Sequence, residues 1–469
     1  MRQILKLIYK CFCVMFPLIA LCFYMSERYL CFLDDEAPVY NLNKELACTT
    51  QEKYYGVIIL GDSGANAAYV PEVLSDDTIN LSLGGMTPVE NYYVLKEWLE
   101  HHEAPRACYI SFKDDHMHEA ECFWVRAMYT HRLHIDEELE ILKTAAEYGE
   151  RSIAKEGYLF DYISYKLWLP DKYSTSFLNA GFNQRYDANI NIQQYARLHR
   201  GRYIGMDTRE YTLETEYLNG MFWVEPMFDD YYRKIIELCM EYGVTAHIVR
   251  IPHPENMVFL DDYMVDLNNY YDELKSDYPD ITFDIFPEYG REYFLDEDHM
   301  NSRGGRRFSA EIKELYSDDF DTSYVSLEQV DGINDYLLKE NRLEEILLWI
   351  CGMDYTVIFC DGGNVYSEYY ESEIAEKTGI NALQTCQTDI GSGEDIPAFY
   401  YLSGIGREEQ TFSVLQNDVG FAIMFENGEG EWVGDMADQS LKMIVIDNYH
   451  NRTVMYRTFQ YEDGTFVPE

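Results

Sequence analysis

Positive charge is scarce in this chain. Lys and Arg number 37 against 83 Asp and Glu, giving a formal net charge of -46 over 469 residues. That balance excludes nucleic acid as a partner, because binding phosphates needs clustered Lys and Arg. It also disfavours adsorption on an anionic lipid surface. Metal-type and redox-type cysteine spacing is missing as well. The 11 cysteines include no CxxC pair, which removes zinc-ribbon and thioredoxin chemistry, and neither metal nor cofactor is expected. There is no internal repeat and no low-complexity tract. A full-length apolar run near the N-terminus is also absent: Cys11 to Met25 is 15 residues, short of the ~20 that cross a bilayer.

What the chain does contain is an ordinary apolar fraction, 47%, and abundant tyrosine, 42 residues. The apolar fraction excludes wholesale disorder. Acidity together with tyrosine fits a solvated, self-repelling surface. It also fits a neutral or cationic partner, such as an uncharged polysaccharide whose hydroxyls bond and stack on Tyr-rich surfaces.

Arg2, Lys6 and Lys10 flank the N-terminal apolar run. Counting from Ile4, with the two lysines snorkelling, brings the run near ~20 residues. Residues 1–30 therefore read as a membrane anchor with its positive flank inside and the body outside the cytoplasm. No small-x-small cleavage site follows, and Leu21 before Cys22 makes a poor lipobox. Residues 31–50 read as a polar stalk.

From there the pattern alternates. Short apolar runs at 54–60, 78–83, 107–112, 244–251 and 281–286 predict strands. Helical periodicity is expected at 88–102, 229–242, 259–278 and from about 303. Residues 115–225 break this rhythm and read as a helical insertion capping the core. Strands separated by helices predict a parallel sheet covered on both faces. A polar boundary at 317–326 separates residues 51–318 from a C-terminal α+β or β-rich domain, 327–469. Cys108 and Cys239 are expected as small buried thiols.

Gly61-Asp62-Ser63 follows the first strand directly, where an open α/β sheet presents its ligand crevice. Asp296 and His299 stand three apart before the last helix. A histidine can act as base near neutral pH, and a carboxylate can orient its ring. Between them lies the segment Asn80 to Pro88 (NLSLGGMTP), with Gly84 and Gly85 after the second strand.

Over roughly residues 52 to 316 these pieces resemble the SGNH/GDSL hydrolase superfamily. The stretch Asp296, His299, Asn301, Gly304 and the following helix look most like its membrane-anchored branch, which includes alginate O-acetylation and teichoic-acid D-alanylation proteins. The resemblance implies a flavodoxin-like three-layer α/β sandwich. It implies Ser63 as nucleophile, His299 as base and Asp296 as orienter. The N–H groups of Ser63 and of Gly84 or Gly85 would form the oxyanion hole. It further implies O-acyl transfer, chiefly acetyl, to a cell-surface or exported polysaccharide, or ester hydrolysis on one. A membrane-bound O-acyltransferase is the partner that would supply acyl groups. The alternative is an inactive SGNH-fold protein that binds or assembles glycan.

One motif departs from the family pattern. Where the family places Gly-x-Asn-Asp, this chain has Phe112, Lys113, Asp114 and Asp115. An ionised Asp donates no hydrogen bond. Lys113 reads first as a surface charge and second as a substitute donor. His253 is a candidate for lining the crevice, and His247 reads as a sheet histidine. His101, His102, His116 and His118 suggest a metal but match no ligand template. Asp136 to Glu140 reads as a solvated helix face. The segment Leu441 to Phe459 is faintly similar to the interleukin-like domain of epithelial–mesenchymal-transition inducer proteins, and reads more simply as a strand–turn–strand hairpin.

Overall fold

Val57–Gly61 (VIILG) is buried at every position and forms β1 of a parallel sheet. A strand covered on both faces reads as a continuous apolar run, which is why this one is visible in sequence. The computed structural model describes residues 2–28, 36–50, 53–166, 185–205, 216–218, 222–320 and 327–350. In the C-terminal part it describes 355–361, 384–385, 398–403, 412–417, 420–425, 430–434, 440–450, 452–462 and 465–468.

The strands that follow β1 are β2 (Thr78–Asn80), β3 (Ala107–Ser111), β4 (Glu216–Leu218), β5 (Thr245–Arg250), β6 (Met257–Phe259) and β7 (Thr282–Ile285). Five of them form one sheet in the order β2-β1-β3-β5-β7, and every pair in it is parallel. The winding direction reverses between β1 and β3, and a doubly wound sheet opens its ligand crevice at such a point, beyond the carboxyl ends of its strands. Two cores lie on its two faces. Ile58 and Leu60 point into one, with Trp98, Tyr231 and Ile235 of the helices Pro88–His101 and Pro226–Glu241. Val57 and Ile59 point into the other, with Phe308 and Ile312 of the helix Ser302–Leu315. The alternation follows from the two-residue period of a strand, and the result is a three-layer α/β unit.

Several elements differ from the sequence expectation. The expected stalk contains the helix Ala37–Cys48, whose Tyr40, Leu42 and Ala47 are buried in the first core. Its apolar positions recur at helical spacing, which the surrounding polar residues masked. The expected insertion does contain helices, at Ile135–Tyr148, Tyr158–Lys166 and Arg185–Leu198. It also contributes β4, which pairs with β6 outside the main sheet; three-residue strands carry no readable period.

The C-terminal part starts with two helices, Leu327–Leu337 and Leu343–Ile350. Its strands are β8 (Tyr355–Asp361), β9 (Gln384–Thr385), β10 (Ala398–Ser403), β11 (Phe412–Asn417), β12 (Gly420–Phe425), β13 (Gly430–Gly434), β14 (Leu441–Asp447), β15 (Arg452–Glu462) and β16 (Thr465–Pro468). They form a six-stranded sheet and a three-stranded one, with antiparallel pairing throughout, including the β14–β15 hairpin. Trp349 packs on Tyr195 of the insertion, ring centroids 5.5 Å apart. Of the expected boundary, 321–326 lies outside the described residues.

At the N-terminus, Arg2–Arg28 is a helix of 27 residues containing Pro17. It exposes Ile4, Leu7, Phe12, Val14 and Leu21. Among the described residues no helix is long and apolar enough to cross a membrane. Residues 29–35 lie outside the described residues.

Candidate active site

The turn out of β1 is built around a glycine. Gly61 has φ +152, and a Cβ there would come within 2.0 Å of the Ser111 carbonyl oxygen on β3. Its N–H donates to Asn91 Oδ1 at 2.9 Å, and its carbonyl accepts from Asn91 Nδ2 at 3.2 Å. Asp62 then caps the short helix Ser63–Ala68, accepting from the N–H groups of Gly64 (2.8 Å) and Ala65 (3.3 Å) through Oδ1. That cap leaves Ser63 at the first helical position, on the crevice side.

Asp296 and His299 reach the same place from the far end of the domain. The loop from Tyr293 to Asn301 is pinned by Leu295 N–H to the His299 carbonyl (2.8 Å) and by Asn301 N–H to the Tyr293 carbonyl (3.0 Å). Asn301 caps the helix Ser302–Leu315 by accepting from Arg303 and Gly304, each at 3.0 Å. Asp296 Oδ1 accepts from the His299 N–H at 2.8 Å, and both of its oxygens face His299 Nδ1, at 2.8 and 2.9 Å. On the other side of the ring, Nε2 lies 2.8 Å from Ser63 Oγ. These three side chains therefore form the hydrogen-bonded chain Ser63–His299–Asp296. Burial pushes the Asp296 carboxyl up, but the hydrogen bond and charge of His299 outweigh it and hold the carboxyl below its usual range. An ionised Asp296 requires Nδ1 to carry the proton and leaves Nε2 free to accept.

Lys113 is not a surface charge. Its side chain is only 10% exposed; Nζ pairs with Asp298 at 3.1 Å and stands 3.4 Å from His299 Nε2. Burial pulls its pKa down, but the charges of Asp62 and Asp298 more than offset that and keep the ammonium protonated. Asp114, at the place where the family motif carries Asn, turns away. It accepts from Arg250 at 2.9 Å and Tyr263 at 2.7 Å. The third-motif position thus brings a cation to the crevice instead of an amide.

The structure redistributes the expected oxyanion donors. The Gly84 N–H donates to Tyr203 Oη at 2.9 Å, so it is committed elsewhere, and the Gly84 carbonyl accepts from Tyr40 Oη at 2.6 Å. Gly85 has φ +74 and lies against Cys122 and Arg126, where a Cβ would meet Sγ at 2.6 Å. The Ser63 N–H sits in the first turn, where no intrahelical carbonyl is available. His253 makes its ring contact with Phe259, centroids 4.9 Å apart, and no hydrogen bond to the triad is found among the described residues. Burial, and then the Arg250 charge, push its pKa down to about 3, so it is a neutral group. His247 is a buried sheet histidine, stacked on Tyr109 with Nδ1 2.6 Å from Thr282 Oγ1.

The four suspected metal histidines do not meet. His101 bonds the Glu97 carbonyl, His102 stacks on Trp98 and His118 packs on Trp223. The fourth, His116, belongs to the site in a way the sequence reading missed. Its Nδ1 lies 2.8 Å from Asp62 Oδ2, which also accepts the Lys113 N–H at 2.6 Å. Asp62 is fully buried. Burial raises its pKa, but the His116 bond and charge, with Lys113 behind them, overcome this and bring it down to about 2. One carboxylate therefore ties the Ser63 turn to the loop that carries Lys113. Position just past a strand end was the only available signal for His116. Asn66 was also missed. It donates to the carbonyls of Ser82 (2.9 Å) and Gly201 (3.1 Å), and accepts from the N–H groups of Tyr203 (2.9 Å) and Ile204 (3.0 Å).

No protein-family model matches the chain, and no curated protein matches it. The functional reading therefore rests on the site itself.

Proposed function

We propose that this protein is an SGNH-type serine acyltransferase or esterase acting on O-acyl, chiefly O-acetyl, groups of a cell-surface or exported polysaccharide. The observation that carries the reading is the Ser63 Oγ–His299 Nε2–Asp296 chain, with distances of 2.8 Å on both sides of the ring. It sits beyond the carboxyl edge of a parallel sheet at its switch point. Taking the five main-sheet strands in sequence gives the order 2-1-3-4-5, the flavodoxin-like order.

In this mechanism the Ser63 hydroxyl attacks the acyl carbonyl carbon and its proton passes to His299 Nε2. The tetrahedral intermediate places its oxyanion near the Ser63 N–H and the Lys113 ammonium. Collapse expels the alcohol, which takes the proton from His299 and leaves an acyl-Ser63 ester. A sugar hydroxyl or water, deprotonated by His299, then attacks that ester and regenerates Ser63. The choice of acceptor separates transferase from esterase. The proposed membrane attachment of residues 1–30 draws support from the exposed apolar side chains of Arg2–Arg28. It favours the transferase, fed by a membrane-bound O-acyltransferase.

One observation favours a second reading, a glycan-binding protein on the same scaffold: the Gly84 N–H, one of the two glycine donors expected for the oxyanion, is spent on Tyr203. A fluorophosphonate probe separates the two. The enzyme reading expects covalent labelling of the intact protein, none of Ser63→Ala, and turnover of acetylated oligosaccharide or an aryl acetate. It also expects Asp296→Asn to lower kcat by about 10²–10⁴-fold. Absence of both labelling and turnover in the folded protein would leave the binding reading.

A further inference from the structure

Outside the crevice, three side chains with metal-ligand chemistry converge from segments far apart in sequence. Cys48 ends the helix Ala37–Cys48, Glu97 lies in Pro88–His101, and His134 immediately precedes Ile135–Tyr148. One ligand atom from each lies within 4.8 Å of the other two. Cys48 Sγ is 4.0 Å from His134 Nε2, and Glu97 Oε1 is 3.5 Å from the same nitrogen.

We propose that Cys48, Glu97 and His134 form a binding site for one Zn²⁺ ion, which clamps the helix Ala37–Cys48 and the insertion onto the helix Pro88–His101.

The spacing supports this. With Zn–S near 2.3 Å and Zn–N and Zn–O near 2.0–2.1 Å, a tetrahedral ion holds S and N about 3.6 Å apart and N and O about 3.4 Å apart. The S···N and N···O separations need to contract by only a few tenths of an ångström, and the S···O separation is under 4.8 Å. Glu97 gives an independent indication. Its side chain is 3% exposed, and Oε1 is buried with no hydrogen-bond partner among the described residues. A buried carboxylate oxygen normally has a partner, since leaving it bare costs its desolvation. Its neighbours here include the Cys48 thiol and the His134 imidazole.

The other oxygen, Oε2, accepts from Arg132 Nη1 at 2.6 Å, and Arg132 Nε donates to Asn43 Oδ1 at 2.7 Å. This fixes the carboxylate plane, as outer-shell partners of metal ligands commonly do. The S, N, O donor set suits Zn²⁺ better than a hard cation such as Ca²⁺ or Mg²⁺, which prefers oxygen alone. His134 is 51% exposed, so the fourth tetrahedral position opens toward solvent and a water can complete it. Binding displaces the Cys48 thiol proton to solvent.

The experiment uses the full chain, stripped with chelator and dialysed. Zn²⁺ is titrated in competition with a chromogenic chelator, and Co²⁺ is used as a spectroscopic substitute. The expected result is one tight site per chain, a rise in thermal midpoint on loading, and a thiolate-to-cobalt charge-transfer band in the near ultraviolet. Cys48→Ser should abolish that band. His134→Ala, a change at an exposed position, should weaken Zn²⁺ binding at least ten-fold with the circular dichroism of the metal-free protein unchanged. The absence of saturable binding by the parent protein would overturn the proposal. So would a Cys48→Ser or His134→Ala protein that binds Zn²⁺ as the parent does. None of these readouts depends on Ser63 chemistry.

Discussion

Lys113 Nζ stands 3.4 Å from His299 Nε2, the same nitrogen that faces the Ser63 hydroxyl. In the resting state Asp298 holds this ammonium at 3.1 Å. A carbonyl oxygen that becomes anionic beside Ser63 would compete with Asp298 for it. In the proposed mechanism Lys113 supplies charge where an amide donor is missing. Lys113→Met, close in size and uncharged, is expected to lower kcat by about 10²-fold, the scale of losing one oxyanion donor. KM should change much less. Steady-state kinetics on an aryl acetate measure both, and an unchanged kcat would remove Lys113 from the mechanism.

The Asp62–His116 pair makes stability depend on pH at both ends. Asp62 sits at about 2 in the folded chain, against an unfolded value of ~3.9. Its contribution is therefore complete above ~3.9 and lost as pH falls toward 2. His116 moves the other way: burial lowers its pKa, but the Asp62 bond and charge outweigh this and raise it. Its contribution is complete below the unfolded value of ~6.5 and lost as pH rises through the elevated folded value. Urea midpoints of the parent and His116→Gln proteins should differ most between about pH 4 and 6.5 and converge on either side. A difference that stays flat from acid to alkaline pH would contradict this.

Gly61 is one of the positions least open to change. Its φ of +152 and the 2.0 Å approach of a Cβ to the Ser111 carbonyl leave no room for a side chain between β1 and β3. Gly61→Ala is expected to cost on the order of 3 kcal/mol. Equilibrium denaturation measures this, and a loss below about 1 kcal/mol would show that the β1–β3 spacing adapts.

Topology can be checked on cells. If the body faces outward, protease added to intact protoplasts digests the chain beyond about residue 30, and an antibody to the C-terminal part detects the loss. Protection of the full chain would reverse the orientation argued from Arg2, Lys6 and Lys10.

The parts of the site that were legible in sequence are those set by local chemistry. Ser63 follows a continuous apolar strand, and Asp296 can hold His299 because three residues of turn bring the carboxylate back to the ring. β1 and β3 were legible because burial at every position leaves a largely apolar run, whereas β7 is only half-buried. What stayed hidden depends on partners distant in sequence. Nothing around Tyr203 announces that it takes the Gly84 N–H. Lys113 looked like any lysine in an acidic loop, since its burial is imposed by Asp62, Asp298 and the packing of Gly64. The helix Ala37–Cys48 looked like a stalk until Tyr40 and Asn43 were seen bonding the loop after β2, at Gly84 (2.6 Å) and Leu81 (2.7 Å).

The separations along the chain also bear on folding time. Ser63 waits for a partner 236 positions later, and Asn66, one helical turn on, for a carbonyl 135 positions later. Contacts of such long range close slowly and follow local helix formation. A chain emerging during synthesis contains Ser63 long before His299 exists. On refolding, fluorophosphonate reactivity should therefore lag behind the recovery of helix, and in the proposed mechanism Ser63 has no base until nearly two thirds of the polypeptide has been made.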